Sequence, residues 1–180
     1  MTEELETLLD VVSRLDEAGI LYMISGAMAM NYYAVPRMTR DIDIVVDMRS
    51  GDAERITELL EGSYFLDLDS AKEAVSRRRM FNVIHKVKMI KVDFVVRKDL
   101  PYREEEFNRR RQAEVEGKKF WIVAPEDLLL SKLFWAKDSH SELQLRDARN
   151  LLASVSMDVA YLDRWAAVLG VANLLDEVRK

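Results

Sequence analysis

Two aspartates one residue apart are the side chains of this chain best suited to chemistry. They are Asp41 and Asp43 in the run Thr39-Arg40-Asp41-Ile42-Asp43-Ile44-Val45-Val46. Side chains alternate along a strand, so both acids face one way while Ile42, Ile44 and Val46 face a core. Two ionised carboxylates held this close repel unless a cation lies between them. Magnesium is the natural candidate, because it takes hard oxygen ligands and carries substrate phosphates with it.

A third acid fits the same pattern. In Lys91-Val92-Asp93-Phe94-Val95-Val96 the alternation sets Asp93 against the facing of Val92, Phe94 and Val96. If the two strands lie side by side, Asp41, Asp43 and Asp93 share one surface. Three such acids can hold two divalent ions about 3.5–4 Å apart, which clamps the attacking and leaving oxygens of a phosphoryl or nucleotidyl transfer. An isolated Asp-x-Asp is more often a cap or a solvated face, so the third acid and the upstream glycine carry the weight.

That glycine, Gly26, stands between a short apolar strand, Leu21-Tyr22-Met23-Ile24, and a predicted helix over Ala27–Ala34. Lacking a Cβ, it lets backbone approach a ligand, and free N–H groups at a helix start attract anions. A glycine that merely eases the turn would look the same in isolation. Together with the acids, Gly26 and the N–H of Ala27 are expected to line a triphosphate.

Gly26-Ala27, then Pro36-Arg37-x-Thr39-Arg40-Asp41-Ile42-Asp43-Ile44, then Asp93 resemble the DNA polymerase β-type nucleotidyltransferase superfamily, and within it the AbiEii-like group of abortive-infection and toxin–antitoxin nucleotidyltransferases. The resemblance spans roughly residues 20 to 153 and includes Pro125-Glu126-Asp127-Leu128-Leu129-Leu130-Ser131-Lys132 and Arg146-Asp147-Ala148-Arg149. It implies a magnesium-dependent enzyme, with two ions in the active complex, that moves a nucleoside monophosphate from an NTP to a hydroxyl. Asp41, Asp43 and Asp93 would be its catalytic and metal-binding acids. Gly26, Ala27, Arg37, Thr39, Arg40 and Lys132 would meet nucleotide or phosphate, and Asp147 would be a further motif residue. The superfamily often has Gly-Ser or Gly-Gly at the turn; Gly26-Ala27 lacks the hydroxyl but keeps the backbone N–H.

The surrounding elements must hold these groups. Leu5, Leu8, Leu9, Val12 and Leu15 recur at helical spacing before Gly19, and a second helix is expected over Gly51–Leu60. Residues 70–76 read as helical or irregular, residues 79–85 and 88–96 as antiparallel strands. Gln112–Glu116 and Lys118–Val123 read as strands about a turn at Gly117, and helix runs from Pro125 onward. The expected fold is α+β: a small mixed-sheet core over residues 1–123 with flanking helices, then a C-terminal helical segment over 124–180, packed as one unit.

Composition narrows the class. The chain has 27 basic and 32 acidic residues, a net charge of −5, and no cysteine. Disulfides, thiolate metal sites and a cysteine nucleophile are excluded, and no global nucleic-acid-binding charge is present. The acidic start Met1-Thr2-Glu3-Glu4 lacks the basic opening of a signal peptide, and no apolar run reaches membrane length, so a cytoplasmic protein is expected.

Helical spacing places Lys132 beside Leu128 and Ala136, and Asp147 between Leu143 and Leu151. Each charge borders an apolar stripe; the two could serve a nucleotide or simply bridge two helices. Arg77, Arg78, Arg79, Lys86, Lys88 and Lys91 form a basic strip that could draw in phosphates, although ordinary solvated strand faces look the same and are the commoner case. His85 and His140 lack any ligand or triad pattern, and Met23, Met28, Met30, Tyr32 and Tyr33 read as core packing. The acceptor is open among RNA, protein and small molecules. Two other readings are a non-catalytic member of a toxin–antitoxin pair and a two-metal phosphohydrolase.

Overall fold

The computed structural model describes residues 1–180. Thr2 opens helix α1 (Glu3–Ala18) by accepting the Leu5 N–H, and Gly19, at φ 66°, closes it in the left-handed conformation that glycine adopts without penalty. Strand β1 (Leu21–Ile24) then leads through Ser25 into α2 (Gly26–Tyr33), and β2 (Asp41–Asp47) follows after an irregular segment. Next come α3 (Asp52–Leu60), β3 (Tyr64–Phe65), α4 (Leu68–Ser76), β4 (Met80–His85) and β5 (Lys91–Val96). Helix α5 (Pro101–Asn108), β6 (Arg111–Val115) and β7 (Lys118–Ile122) precede the helices α6 (Pro125–Ser139), α7 (Glu142–Ser154), α8 (Val159–Leu169) and α9 (Ala172–Val178).

The strands form one seven-stranded mixed sheet in the order β3-β4-β5-β2-β1-β7-β6. β2 and β5 are parallel neighbours at its centre; β1 runs antiparallel to β2 and parallel to β7. Alternation is strict in β2: Ile42, Ile44 and Val46 are fully buried while Asp41, Asp43, Val45 and Asp47 are not. Val92, Phe94 and Val96 of β5 and Phe81 and Val83 of β4 are buried in the same core, where the Phe81 and Phe94 rings stack at 5.1 Å. Helices α1, α3 and α4 pack on one another and on β1, β2 and β4, whereas α2 packs on β2, α6 and α7. No helix is long and apolar enough to cross a membrane.

The α+β architecture is as expected, with local differences. Residues 86–89 form the turn of the β4–β5 hairpin, with Met89 at φ 54°, so the strand begins at Lys91 rather than at 88. His85 shapes that turn by accepting the N–H groups of Val87 and Lys88 through Nδ1. His140 is the left-handed C-cap of α6. Tyr32 is exposed, not core, whereas Met23 and Met30 are buried. Residues 70–76 belong to a regular helix capped by Asp67.

A buried ionic network joins α5, α6 and α8. Arg109 pairs with Asp127 at 3.1 Å and Glu126 at 3.0 Å and lies over the Tyr161 ring at 3.7 Å, while the Tyr161 hydroxyl donates to Asp127 at 2.6 Å. Beside it, Glu106 pairs with Arg103 at 2.8 Å. Burial pushes the Glu106 carboxyl up to about 7, against the opposing pull of Arg103. A carboxyl raised on folding stabilises the fold in acid, and that contribution is lost as pH rises through its folded value. Between pH 5 and pH 8 the wild-type chain is therefore expected to lose about 2–3 kcal/mol relative to Glu106→Gln. Paired urea melts at the two pH values measure this; parallel losses in both proteins would contradict it.

Candidate active site

Parallel pairing of β2 with β5 sets Asp43 directly opposite Asp93 and Asp41 opposite Lys91. Register and alternation thus put all three acids, with Lys91, on one face of the sheet. Lys91 Nζ lies 2.8 Å from Asp93 Oδ2 and 3.5 Å from Asp41 Oδ1. Asp41 is exposed and Asp43 half-buried, while the Asp93 side chain retains only 8% exposure. The second Asp93 oxygen, Oδ1, is buried without a hydrogen-bond partner.

The charge balance of this corner is unfavourable to Asp43. Burial raises its pKa first, and Asp93 and Asp41 raise it further, while Lys132 and Lys91 oppose them. The nearby Lys91 pairs with Asp41 and Asp93 but leaves Asp43 without an ion pair. An acid cluster with one buried oxygen unpartnered and one carboxyl pushed toward its neutral form is short of positive charge.

Gly26 stands against this cluster. It takes φ 59°, and a Cβ built there would overlap Asp43 Oδ2 outright and lie 2.6 Å from Asp43 Cγ and 2.9 Å from Asp43 Cβ. Both the backbone conformation and the missing side chain are required, because the start of α2 is pressed onto the Asp43 carboxylate. Ser25, whose N–H donates to the Asp43 carbonyl at 2.9 Å, is the N-cap residue, and its hydroxyl makes no capping bond. The first N–H groups of α2, including that of buried Ala27, have no intrahelical acceptor.

Lys132 and Asp147 form the helix-to-helix bridge that the spacing allows, at 3.0 Å, with both side chains almost wholly buried. Asp147 Oδ2 also accepts from Arg37 at 3.2 Å, which ties the segment before β2 to α7. Asn31 holds the same segment by bonding the Arg37 N–H and carbonyl, each at 2.9 Å. Removing one member of an ion pair this deep costs about 3–5 kcal/mol. Lys132 is nonetheless close enough to Asp43 to pull on its proton equilibrium. Thr39 Oγ1 bonds the backbone of Asp41 and shapes the entry to β2, while Arg40 is exposed. Leu143, expected to share the stripe with Asp147, is exposed instead.

Most of the basic strip is paired: four of its six residues hold acids, Lys86 donates to the Glu61 carbonyl, and Arg79 is exposed without an ion pair. Arg77 pairs with Glu73, Arg78 with Asp47 and Asp99, Lys88 with Glu6, and Lys91 with the site acids. Two residues of the site are not picked out by motif. Lys91 is legible as facing the acids, two positions before Asp93 on the same strand, yet its charge groups it with the basic strip. Ser25 places a hydroxyl at the turn one residue before the glycine, whereas the superfamily pattern has it one residue after.

The oxygen donors suit a hard divalent cation, and the orphaned Asp93 oxygen is the observation that favours one. As placed, with Lys91 drawn between Asp41 and Asp93, the side chains do not make a ready three-ligand cage. An ammonium already supplies part of the charge that a cation would bring.

The fold is shared with solved nucleotidyltransferases. It superposes on an antigenic nucleotidyltransferase-like protein from Paracoccidioides brasiliensis with a TM-score of 0.70 at 18% identity, covering 98% of this chain and 89% of that one. It superposes on ANT(2")-Ia in complex with adenylyl-2"-tobramycin with a TM-score of 0.61 at 13% identity, covering 94% and 98%. The lincomycin-bound lincosamide antibiotic adenylyltransferase LnuA gives 0.58 at 16% identity, covering 86% and 98%. No curated protein sequence matches the chain significantly. Residues 4–165 match the family described as nucleotidyl transferase of unknown function (DUF2204), and the chain belongs to that family. It is an enzyme of the nucleotidyltransferase class.

Proposed function

We propose that the chain transfers a nucleoside monophosphate from an NTP to a hydroxyl acceptor, with magnesium held by Asp41, Asp43 and Asp93. The observation that carries this reading is the register pairing of Asp43 with Asp93 on one sheet face, hard against Gly26. Magnesium bound there, as two ions in the active complex, supplies the charge that offsets the triphosphate and polarises the acceptor hydroxyl. Asp93 is the acid positioned to take the proton from that hydroxyl. Gly26, the Ala27 N–H and the Ser25 hydroxyl line the phosphates at the start of α2. Lys132 sets a positive charge behind Asp43, and Asp147 holds Lys132 and Arg37 in place from the helical segment 124–180 against the core 1–123. Arg40 and Thr39 border the entrance, where an exposed guanidinium can meet phosphate oxygens.

Two lines of kinship bear on the acceptor, and they point to different classes. ANT(2")-Ia carrying adenylyl-tobramycin and the lincosamide adenylyltransferase support a small molecule. The Arg37-to-Asp43 segment favours the AbiEii-like group, and with it an RNA or protein hydroxyl in a cytoplasmic toxin–antitoxin setting. Incubation with each α-labelled NTP and magnesium, alone, with bulk RNA, and with tobramycin or lincomycin, tests the reading. Label on an acceptor with stoichiometric pyrophosphate is the expected result. Nucleotide binding without pyrophosphate would favour a non-catalytic partner-binding module, and release of free phosphate a phosphohydrolase; either result would overturn transfer.

A further inference from the structure

Lys91 is the residue of this corner that the proposed transfer leaves without a task. It faces the acids for two independent reasons: it lies two positions before Asp93 on β5 and directly opposite Asp41 on β2. Its ammonium sits 2.8 Å from Asp93 and 3.5 Å from Asp41, between two of the acids that the proposed metal would need. The side chain is 41% exposed, so its flexible four-carbon stem can swing into solvent without disturbing the core. Lys132, the other lysine near Asp43, cannot do this, because it is buried and fixed by Asp147.

We infer that Lys91 is a displaceable internal counter-ion that competes with divalent metal for Asp41 and Asp93. The inference rests on the reading of these acids as a metal site and assigns Lys91 the control of that site's affinity. One ammonium cannot neutralise three carboxylates, and the buried Asp93 Oδ1 has no partner while Lys91 holds Oδ2. Lys91 therefore offsets only part of the negative charge of this corner. Metal arriving with a triphosphate, whose own negative charge can receive the departing ammonium, displaces Lys91 more readily than the bare ion does. Lys91 thereby biases the site toward metal delivered as the nucleotide complex.

The test is a titration of the full chain with Mn2+, following free Mn2+ by electron paramagnetic resonance, with and without a non-hydrolysable NTP analogue. Lys91→Met is expected to bind bare Mn2+ about tenfold more tightly or better, the scale set by removing one nearby unit charge. Lys91→Arg should stay near wild type. Lys91→Gln, polar and neutral, should follow Lys91→Met and serves should the methionine variant fold poorly. The advantage conferred by the analogue should shrink in both neutral variants. Unchanged or weaker Mn2+ binding in Lys91→Met and Lys91→Gln would overturn the role of Lys91, while loss of binding in Asp43→Asn would leave the metal site standing. Mn2+ binding that survives Asp43→Asn, or is absent from every protein, would overturn the site and this inference together.

Discussion

Asp43→Asn is expected to lower nucleotidyl transfer by on the order of 10³-fold, because several kcal/mol of charge stabilisation depend on this acid at about 1.4 kcal/mol per decade. The same substitution should leave the fold at least as stable as wild type, which sets it apart from ordinary core damage. Burial, Asp93 and Asp41 together raise the Asp43 carboxyl above its usual range. A carboxyl raised on folding contributes stability below its unfolded value and loses it as pH rises through the folded one. At neutral pH Asp43 is thus a cost to the fold, which a neutral amide of the same shape removes. Pyrophosphate release and urea melts in chelator, run on the same preparation, read both effects. Activity within tenfold of wild type, or a clear loss of stability, would contradict the assignment.

Gly26→Ala should be nearly as harmful, by a different route. A methyl group at residue 26 overlaps the Asp43 carboxylate and leaves 2.9 Å to its Cβ, so the acid must turn away or the start of α2 must lift. A non-glycine residue held at φ 59° adds about 1–2 kcal/mol of backbone cost. Displacing a reacting group by about 1 Å costs on the order of 10²-fold, so transfer should fall at least that far. Gly117→Ala provides the control. Gly117 also has positive φ, at 74°, but a methyl group there would meet nothing within 4 Å. It should carry the backbone cost with full activity. Similar kinetics for the two variants would show that the clash at Asp43 is irrelevant.

The acids are readable from sequence because alternation fixes which way each one faces. Asp93 needs in addition a register that no local pattern encodes; the match with Asp43 arises only when the strands pair in parallel. Lys132 and Asp147 are visible as charges beside apolar stripes, but the contact of Arg37 with Asp147 joins positions 110 residues apart. Helix α5 escapes a reading by periodicity for a physical reason. Pro101-Tyr102-Arg103-Glu104-Glu105-Glu106-Phe107-Asn108 has little amphipathic pattern, since Glu106 points inward with Tyr102 and Phe107. Its partner Arg103 lies one turn earlier on the same helix, a local pair that looks in sequence like any solvated i,i+3 bridge and does not reveal that Glu106 faces inward. Strand β3 has two residues, Tyr64 and Phe65, too few to show alternation.

The central position of β5, between β4 and β2, has a consequence for how the enzyme comes into being. Parallel neighbours cannot be joined by a tight hairpin, so β5 reaches β2 only after α3, β3, α4 and β4 have been laid down. Closing so long a loop is entropically slow, and its reward arrives only once the strand is seated. A growing chain therefore carries Asp41 and Asp43 well before Asp93 reaches them. The three proposed metal ligands thus meet only once β5 is seated, and Lys132 and Asp147 join them from helices made later still.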